Sequence, residues 1–495
     1  LYQGVEFAHA LFMIGLARGF GFFKRLLMLS ATPDPEAADI LERAIGPTLI
    51  DCHQLPRGAD IKGESVVGAP PATRTAVHEV RVTPVQYTGG DPVEVLLSEI
   101  IALKPEIERL RATNPGDEYL PAVVIVNSVI SAIRLEERLV EKGFSRGSIV
   151  AIRGLSNRAI RDTRGKLLAL GTSAIEVGVD FHCDLLFFEA SDAASFLQRF
   201  GRVGRHRAGR AIAIVPPNAF SGMMALGEVD REDFEQRIYS WYPSAASRPW
   251  FAATESGMIT VRALAENLFR TVQGDGRARR EVLADLREKL ESILSEHAAR
   301  LGCVCQNVEA KRMFDRCRAG SKHFSWLIAY QNLNRFRTSL VSVKVHDFTE
   351  QNKRGEWRLG QYEADVATLL RRAVGMAWNE KLGLLTIRGI GKYHRVHASE
   401  IFADEDTENI LQTKDYATLR LWQDGESTPI SDVMARQNHV FTVIPKGIAD
   451  RLIDWRIPVF EAGKYLVAFD GAALLLTEIY KRGNGQASSA VAPQP

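Results

Sequence analysis

Between residues 77 and 215, short apolar runs alternate with stretches of helical spacing, and this alternation restricts the fold more than any other feature. Ala122-Val123-Val124-Ile125-Val126 contains no polar side chain. A strand of that composition is buried on both faces, as happens in a parallel sheet covered by crossover helices. The same reading predicts strands at 77–86, 149–152, 185–188 and 211–215, with helices over 93–110 and 129–142. The predicted fold class is therefore α/β, a parallel sheet flanked by helices. Functional loops are expected beyond the carboxyl ends of its strands.

Outside that region the pattern changes. Residues 25–29 read as a buried strand leading into Ser30-Ala31-Thr32, and 34–45 as a helix stopped by Gly46-Pro47. A linker rich in glycine and proline follows over 51–76. Beyond the α/β domain (77–217) comes a helical region, 218–320, in which Leu283, Leu286, Leu290, Ile293 and Leu294 form one stripe. The stripe lasts too few heptads for a coiled coil and is assigned to a core. A strand-rich mixed domain is expected over 321–482, and a disordered tail without large apolar residues over 483–495.

A net charge of +2 over 495 residues predicts no nucleic-acid binding by itself, so any basic surface must be local. The chain concentrates it in Gln198–Arg210, which holds five arginines and three glycines in the frame Q-R-x-G-R-x-G-R. Guanidinium is a permanently charged, bidentate partner for phosphoryl oxygens, and glycine lets backbone approach closely. An ordinary arginine-rich surface loop explains the charge but not the spacing.

Five scattered cysteines (Cys52, Cys183, Cys303, Cys305, Cys317) lack framework spacing and suit a reducing, cytoplasmic setting. Cys303, Cys305, Cys317 and His323 invite a zinc reading, but their C-x-C start is tighter than ordinary zinc spacing. No metal site is assigned. The apolar stretch 8–23 is interrupted by Arg18 and glycines and is too short for a bilayer. Trp241, Tyr242, Trp250 and Phe251 could stack on bases, but aromatics interleaved with prolines are assigned to packing.

Four segments in order carry a resemblance: Ser30-Ala31-Thr32; Val126-Asn127-Ser128; Gly171 to Asp180; and the arginine run. They resemble motifs III to VI of superfamily 2 nucleic-acid helicases, which implies a RecA-like domain over 77–217. Residues 1–50 would then be the remnant of a first RecA-like domain. The resemblance makes Arg202 and Arg205 arginine fingers toward an ATP γ-phosphate, with Gln198 beside them in the catalytic motif. It places Gly178 and Asp180 on the nucleotide, and Thr172, Ser128 and Arg161 on a nucleic-acid strand, Arg161 by a loose alignment only. It gives Ser30 and Thr32 the coupling of hydrolysis to strand movement, and implies ATP and Mg2+ as cofactors.

No P-loop and no D-E-x-H segment occurs in these residues. Since both normally precede S-A-T, and the chain opens with Leu1, it is read as a truncated helicase that alone should not hydrolyse ATP. The passage around S-A-T and the wording T-S-A-I-E-V-G-V-D-F narrow the resemblance to the helicase of type I CRISPR interference systems, particularly its stand-alone subtype I-D form. That resemblance implies unwinding of target DNA, recruitment to an RNA-guided complex, and a nuclease on a separate subunit. His346-Asp347 stands after the helicase motifs without a histidine cluster and is read as coincidence. A general DNA repair or RNA helicase, or a non-catalytic binding scaffold, stays open on the residues alone.

Overall fold

The computed structural model describes residues 4–23, 26, 35–46, 60–61, 64–65, 78–88, 91–116, 119–152, 163–172, 175, 182–190, 192–242, 249–271, 277–303, 305–316, 342–348, 361–393, 396–398, 411–414, 421–423, 426–428, 439–448 and 459–483. The chain divides into two compact units, one formed by 47–244 and the other by 1–46 together with 245–495.

The unit 47–244 is an α/β domain. The strands of its six-stranded sheet are β1 (Val80–Gln86), β2 (Tyr119–Ile125), β3 (Ile149–Ile152), β4 (Leu168–Gly171), β5 (His182–Glu189) and β6 (Gly209–Val215). All pair in parallel, in the order β1-β6-β5-β2-β4-β3. Every residue of β2 is buried, as its unbroken apolar composition requires. The helices are α1 (Pro92–Ala102), α2 (Lys104–Thr113), α3 (Val129–Glu141), α4 (Ala193–Phe200), α5 (Pro217–Met224) and α6 (Arg231–Trp241). Two apolar clusters share the sheet, one including Phe188, Phe196 and Tyr242, the other Leu96, Leu135 and Phe187. This is the RecA-like arrangement of a parallel sheet flanked by helices that the sequence calls for.

Two details depart from expectation. The single helix predicted over 93–110 is two, α1 and α2, broken at Leu103. Pro105 has no amide proton to continue the ladder and instead occupies the first turn of α2, where none is needed. Because Leu-Ala-Leu-Gly lacks the β-branched residues that mark Ile-Val-Ala-Ile of β3, strand β4 is not among the predicted strands. Its four residues are nonetheless all buried.

The other unit joins helices Val5–Gly19 and Pro35–Ile45 to Glu255–Thr271, Arg277–Leu301, Asn307–Arg316 and Asp470–Gly483. Phe12, Ile40, Phe251, Met258, Leu294 and Leu474 share one core. Leu290 and Ile293 pack against that core, so this part of the predicted stripe faces inward. Buried Arg262 ties three helices together through Glu266, Glu291 and Asn307 at 2.5–3.1 Å. A seven-stranded and a four-stranded sheet complete the unit. Among the described residues, no helix is long and apolar enough to cross a membrane. The predicted strand at 25–29 lies outside the described residues but for Leu26, as do the linker's greater part and the tail 484–495.

Candidate active site

Helix α4 begins where Asp192 accepts the Ser195 amide at 2.7 Å, a side-chain cap on an otherwise unpaired donor. Its apolar face buries Phe196, Leu197 and Phe200, with Phe196 stacked on Phe200 and edge-on to Phe188. The helix stops at Gly201, and Val203 turns inward to become almost fully buried. Gly204 then adopts φ +76°, and its carbonyl accepts the His78 amide at 2.9 Å. A Cβ on Gly204 would stand 2.4 Å from Val80 Cγ2, and one on Gly209 would stand 2.4 Å from Val203 Cγ2. Both glycines are therefore steric requirements of a turn pressed against the start of β1.

The five arginines separate by environment. Arg199 is buried; its Nη1 donates to Asn127 Oδ1 at 2.8 Å and to the Glu189 carbonyl. Arg207 lies over the Tyr119 ring at 4.7 Å, donates to Asn114 Oδ1 at 2.9 Å and pairs with Asp184 at 3.4 Å. The Tyr119 hydroxyl completes that cluster by donating to Asp184 at 2.6 Å. Burial, then the Asp184 carboxylate, push the Tyr119 phenol far above its ordinary range, so it stays a donor. Arg210 pairs with Glu106 at 3.6 Å across the sheet edge. Arg202 and Arg205 are half-buried at the turn itself, with Arg205 Nε donating to the Gly201 carbonyl at 2.6 Å. Gln198, also half-buried, faces outward one turn earlier on α4.

The turn lies at the amino edge of the sheet, beside the first residues of β1, β2 and β5, contrary to the expectation of a carboxyl-edge loop. The reason is connectivity. Helix α4 leaves the carboxyl end of β5 and returns to start the parallel strand β6, so whatever follows it arrives at the opposite edge.

The other predicted residues occupy the carboxyl edge where they are described. Thr172 is buried directly after β4. Gly171 before it lies so close to the Ile152 carbonyl that a Cβ would come within 2.1 Å. Ser128 caps α3, its Oγ accepting the Ser131 amide at 3.0 Å, so its hydroxyl already has a structural duty. Ser30, Thr32, Arg161, Gly178 and Asp180 lie outside the described residues. Sequence reasoning quoted Asn127 within its motif segment without giving it a role and passed over Glu189; both hold Arg199. The signal was present as an acid ending the apolar run of β5.

Elsewhere, Tyr242, Trp250 and Phe251 are buried in their units' cores. Cys303 and Cys305 are buried thiols whose pKa values burial pushes up to about 12 and about 11, which suits neither thiolate nor metal ligand. Cys317 and His323 lie outside the described residues. Among the described residues no three metal-ligating side chains cluster. Asp347 is buried against the Tyr362 hydroxyl at 3.0 Å.

A parallel-sheet domain carrying Q-R-x-G-R-x-G-R on the turn after a strand-to-strand helix has the form of a superfamily 2 helicase domain. Residues 120–208, from β2 through that turn, match the family model of the C-terminal part of the CRISPR-associated nuclease/helicase Cas3. This match supports a helicase of the superfamily 2 kind. Among solved structures, the DUF1998 helicase MrfA bound to DNA aligns over 98% of this chain and 69% of its own, at 14% identity and TM-score 0.43. The T. fusca Cas3–ADP structure aligns over 80% and 52%, at 13% identity and TM-score 0.33. The Escherichia coli DEAH/RHA helicase HrpB aligns over 86% and 59%, at 13% identity and TM-score 0.30. The chain thus spans about half the length of the T. fusca protein. No curated protein matches the chain in sequence.

Proposed function

We propose that this chain is the arginine-bearing part of an ATP-dependent helicase that unwinds target DNA in CRISPR interference. One observation carries the reading: the backbone of the arginine turn is fixed to the start of β1 through Gly204 and His78, so Arg202 and Arg205 leave it from defined points. Fixed cations need no reorganisation when charge develops on a transferring phosphoryl group, and an arginine so placed contributes about 10³ to 10⁵ in rate. Gln198 supports the same loop, and Gly178 and Asp180 take the nucleotide side. Thr172, Ser128 and Arg161 take strand phosphates, and Ser30 and Thr32 couple the two events.

ATP with Mg2+ supplies the phosphoryl group and its counter-charge. These residues carry no P-loop, so an amide cradle for its phosphates is not among them. The partners are a DNA strand, an RNA-guided interference complex and a nuclease on another subunit.

The test uses the natural protein that carries this chain. Arg205→Ala is expected to lower ATP turnover at least about 10³-fold while DNA affinity stays within about twofold. Turnover near the parental rate would remove Arg205 from the site. Strand displacement should proceed on DNA tracks; activity confined to RNA would defeat the CRISPR reading.

A further inference from the structure

The two edges of the sheet are about 25 Å apart, the length of the eight-residue β5. Helix α4 is nevertheless gripped at both. At the amino edge it runs into the arginine turn. At the carboxyl edge its buried Arg199 reaches back to the Glu189 carbonyl and to Asn127 Oδ1 at 2.8 Å. Asn127 closes the circuit by donating from Nδ2 to Glu189 Oε2 at 2.7 Å. Asn127 is itself exposed, whereas Arg199 and Glu189 are 5% and 2% exposed. It is also one residue from Ser128, which caps α3. A group needed only for packing has no reason to stand in solvent while holding two buried charges.

We infer that Asn127 is a positioning residue that transmits the occupancy of the carboxyl edge to Arg202 and Arg205 through Arg199 and α4. The inference rests on the helicase reading for its consequence, though not for its geometry. A ligand that competes for the Asn127 amide takes one acceptor from Arg199 and one donor from Glu189 together. Arg199 keeps the Glu189 carbonyl but loses Asn127 Oδ1, so the end of α4 that leads into the turn is held less tightly. Because a displacement of about 1 Å at a catalytic group costs on the order of 10²-fold, a small rotation of α4 is enough.

The first measurement needs no nucleotide. In the 495-residue chain, Asn127→Ala should speed deuterium uptake over 199–207 by about tenfold, with far less change over 130–141. Unchanged uptake over 199–207 would overturn the inference, whatever the ATPase does. The second uses the natural protein. Asn127→Ala should lower the ratio of DNA-stimulated to DNA-free turnover by about tenfold to a hundredfold, with KM for ATP within about twofold.

Asn127→Asp provides a readout that loss of packing cannot imitate. Its carboxylate still accepts from Arg199 but repels Glu189, so one of the two acids takes a raised pKa. The shared proton restores the missing donor, and turnover relative to parent should climb as pH falls from about 8 to about 6. A flat ratio, or parental stimulation in Asn127→Ala, overturns the inference. An inactive parent defeats the helicase reading instead and leaves the exchange result to decide this one.

Discussion

Gly204→Ala tests whether the arginine turn is as tightly determined as its contacts indicate. The substitution meets two separate costs. At φ +76° an L side chain occupies the left-handed region, at about 1–2 kcal/mol. The added Cβ would also stand 2.4 Å from Val80 Cγ2 and 3.2 Å from the His78 carbonyl, contacts that demand movement of β1. Overpacking of that kind costs about 1–3 kcal/mol. Together they predict a loss of about 2–5 kcal/mol, a large share of the ~5–15 kcal/mol that holds a domain together. Gly201→Ala is the internal control, since Gly201 sits at φ −63° and its Cβ would come no nearer than 3.3 Å to a neighbour. The assay is urea unfolding followed by hydrogen exchange on peptides from 80–86 and 209–215. With a slope of ~2 kcal/mol/M, the midpoint should fall by about 1–2 M for Gly204→Ala and far less for Gly201→Ala. Equal shifts for the two variants, or a loss below about 1 kcal/mol for Gly204→Ala, would show that the turn gives way freely and refute the reasoning.

Two further outcomes follow from the contacts. Gly222→Ala in α5 should destabilise by about 1–3 kcal/mol because its Cβ would stand 2.4 Å from the Trp241 indole; a gain, as helix propensity alone predicts, would contradict that packing. Burial lowers His9 and His297 from their ordinary 6.5 to about 4, in His9 against the opposing effect of its hydrogen bond to the Thr260 carbonyl. Their folded pKa values lie below the unfolded ones, so the contribution is complete above about pH 6.5 and disappears as pH falls toward 4. Thermal melts should show that decline, and His297→Leu should flatten it; an unchanged slope in that variant would exclude His297 as a source.

The sheet was legible because buried parallel strands leave continuous apolar runs, and β2 and β3 stand within a few residues of where the pattern put them. Strand β4 escaped because Leu-Ala-Leu-Gly has no β-branched residue to mark it, unlike Ile-Val-Ala-Ile of β3, and the break in the first helix turned on Pro105 alone. For the site, the Q-R-x-G-R-x-G-R spacing identified the turn, and its second glycine, Gly204, answers a steric contact with Val80, as Gly209 just after the frame does with Val203. The sequence could not say which arginines are consumed internally. Asp184, Asn114 and Glu106 are distant in the chain from their arginine partners and carry no local pattern. Nor could it place the turn at the amino edge, because that follows from the direction of α4 in three dimensions.

The division of the chain has a consequence for its synthesis. Residues 47–244 are contiguous and can fold as soon as they leave the ribosome, whereas helix Val5–Gly19 packs with residues 250 and more positions downstream, as in the His9–Thr260 hydrogen bond. Until residues 245–301 emerge, Val5, Leu11 and Phe12 have no core to enter. At about 5–20 residues per second, that apolar helix waits on the order of ten seconds or more. During that interval the apolar face of Val5–Gly19 stays uncovered, which makes this helix a point of aggregation risk during synthesis.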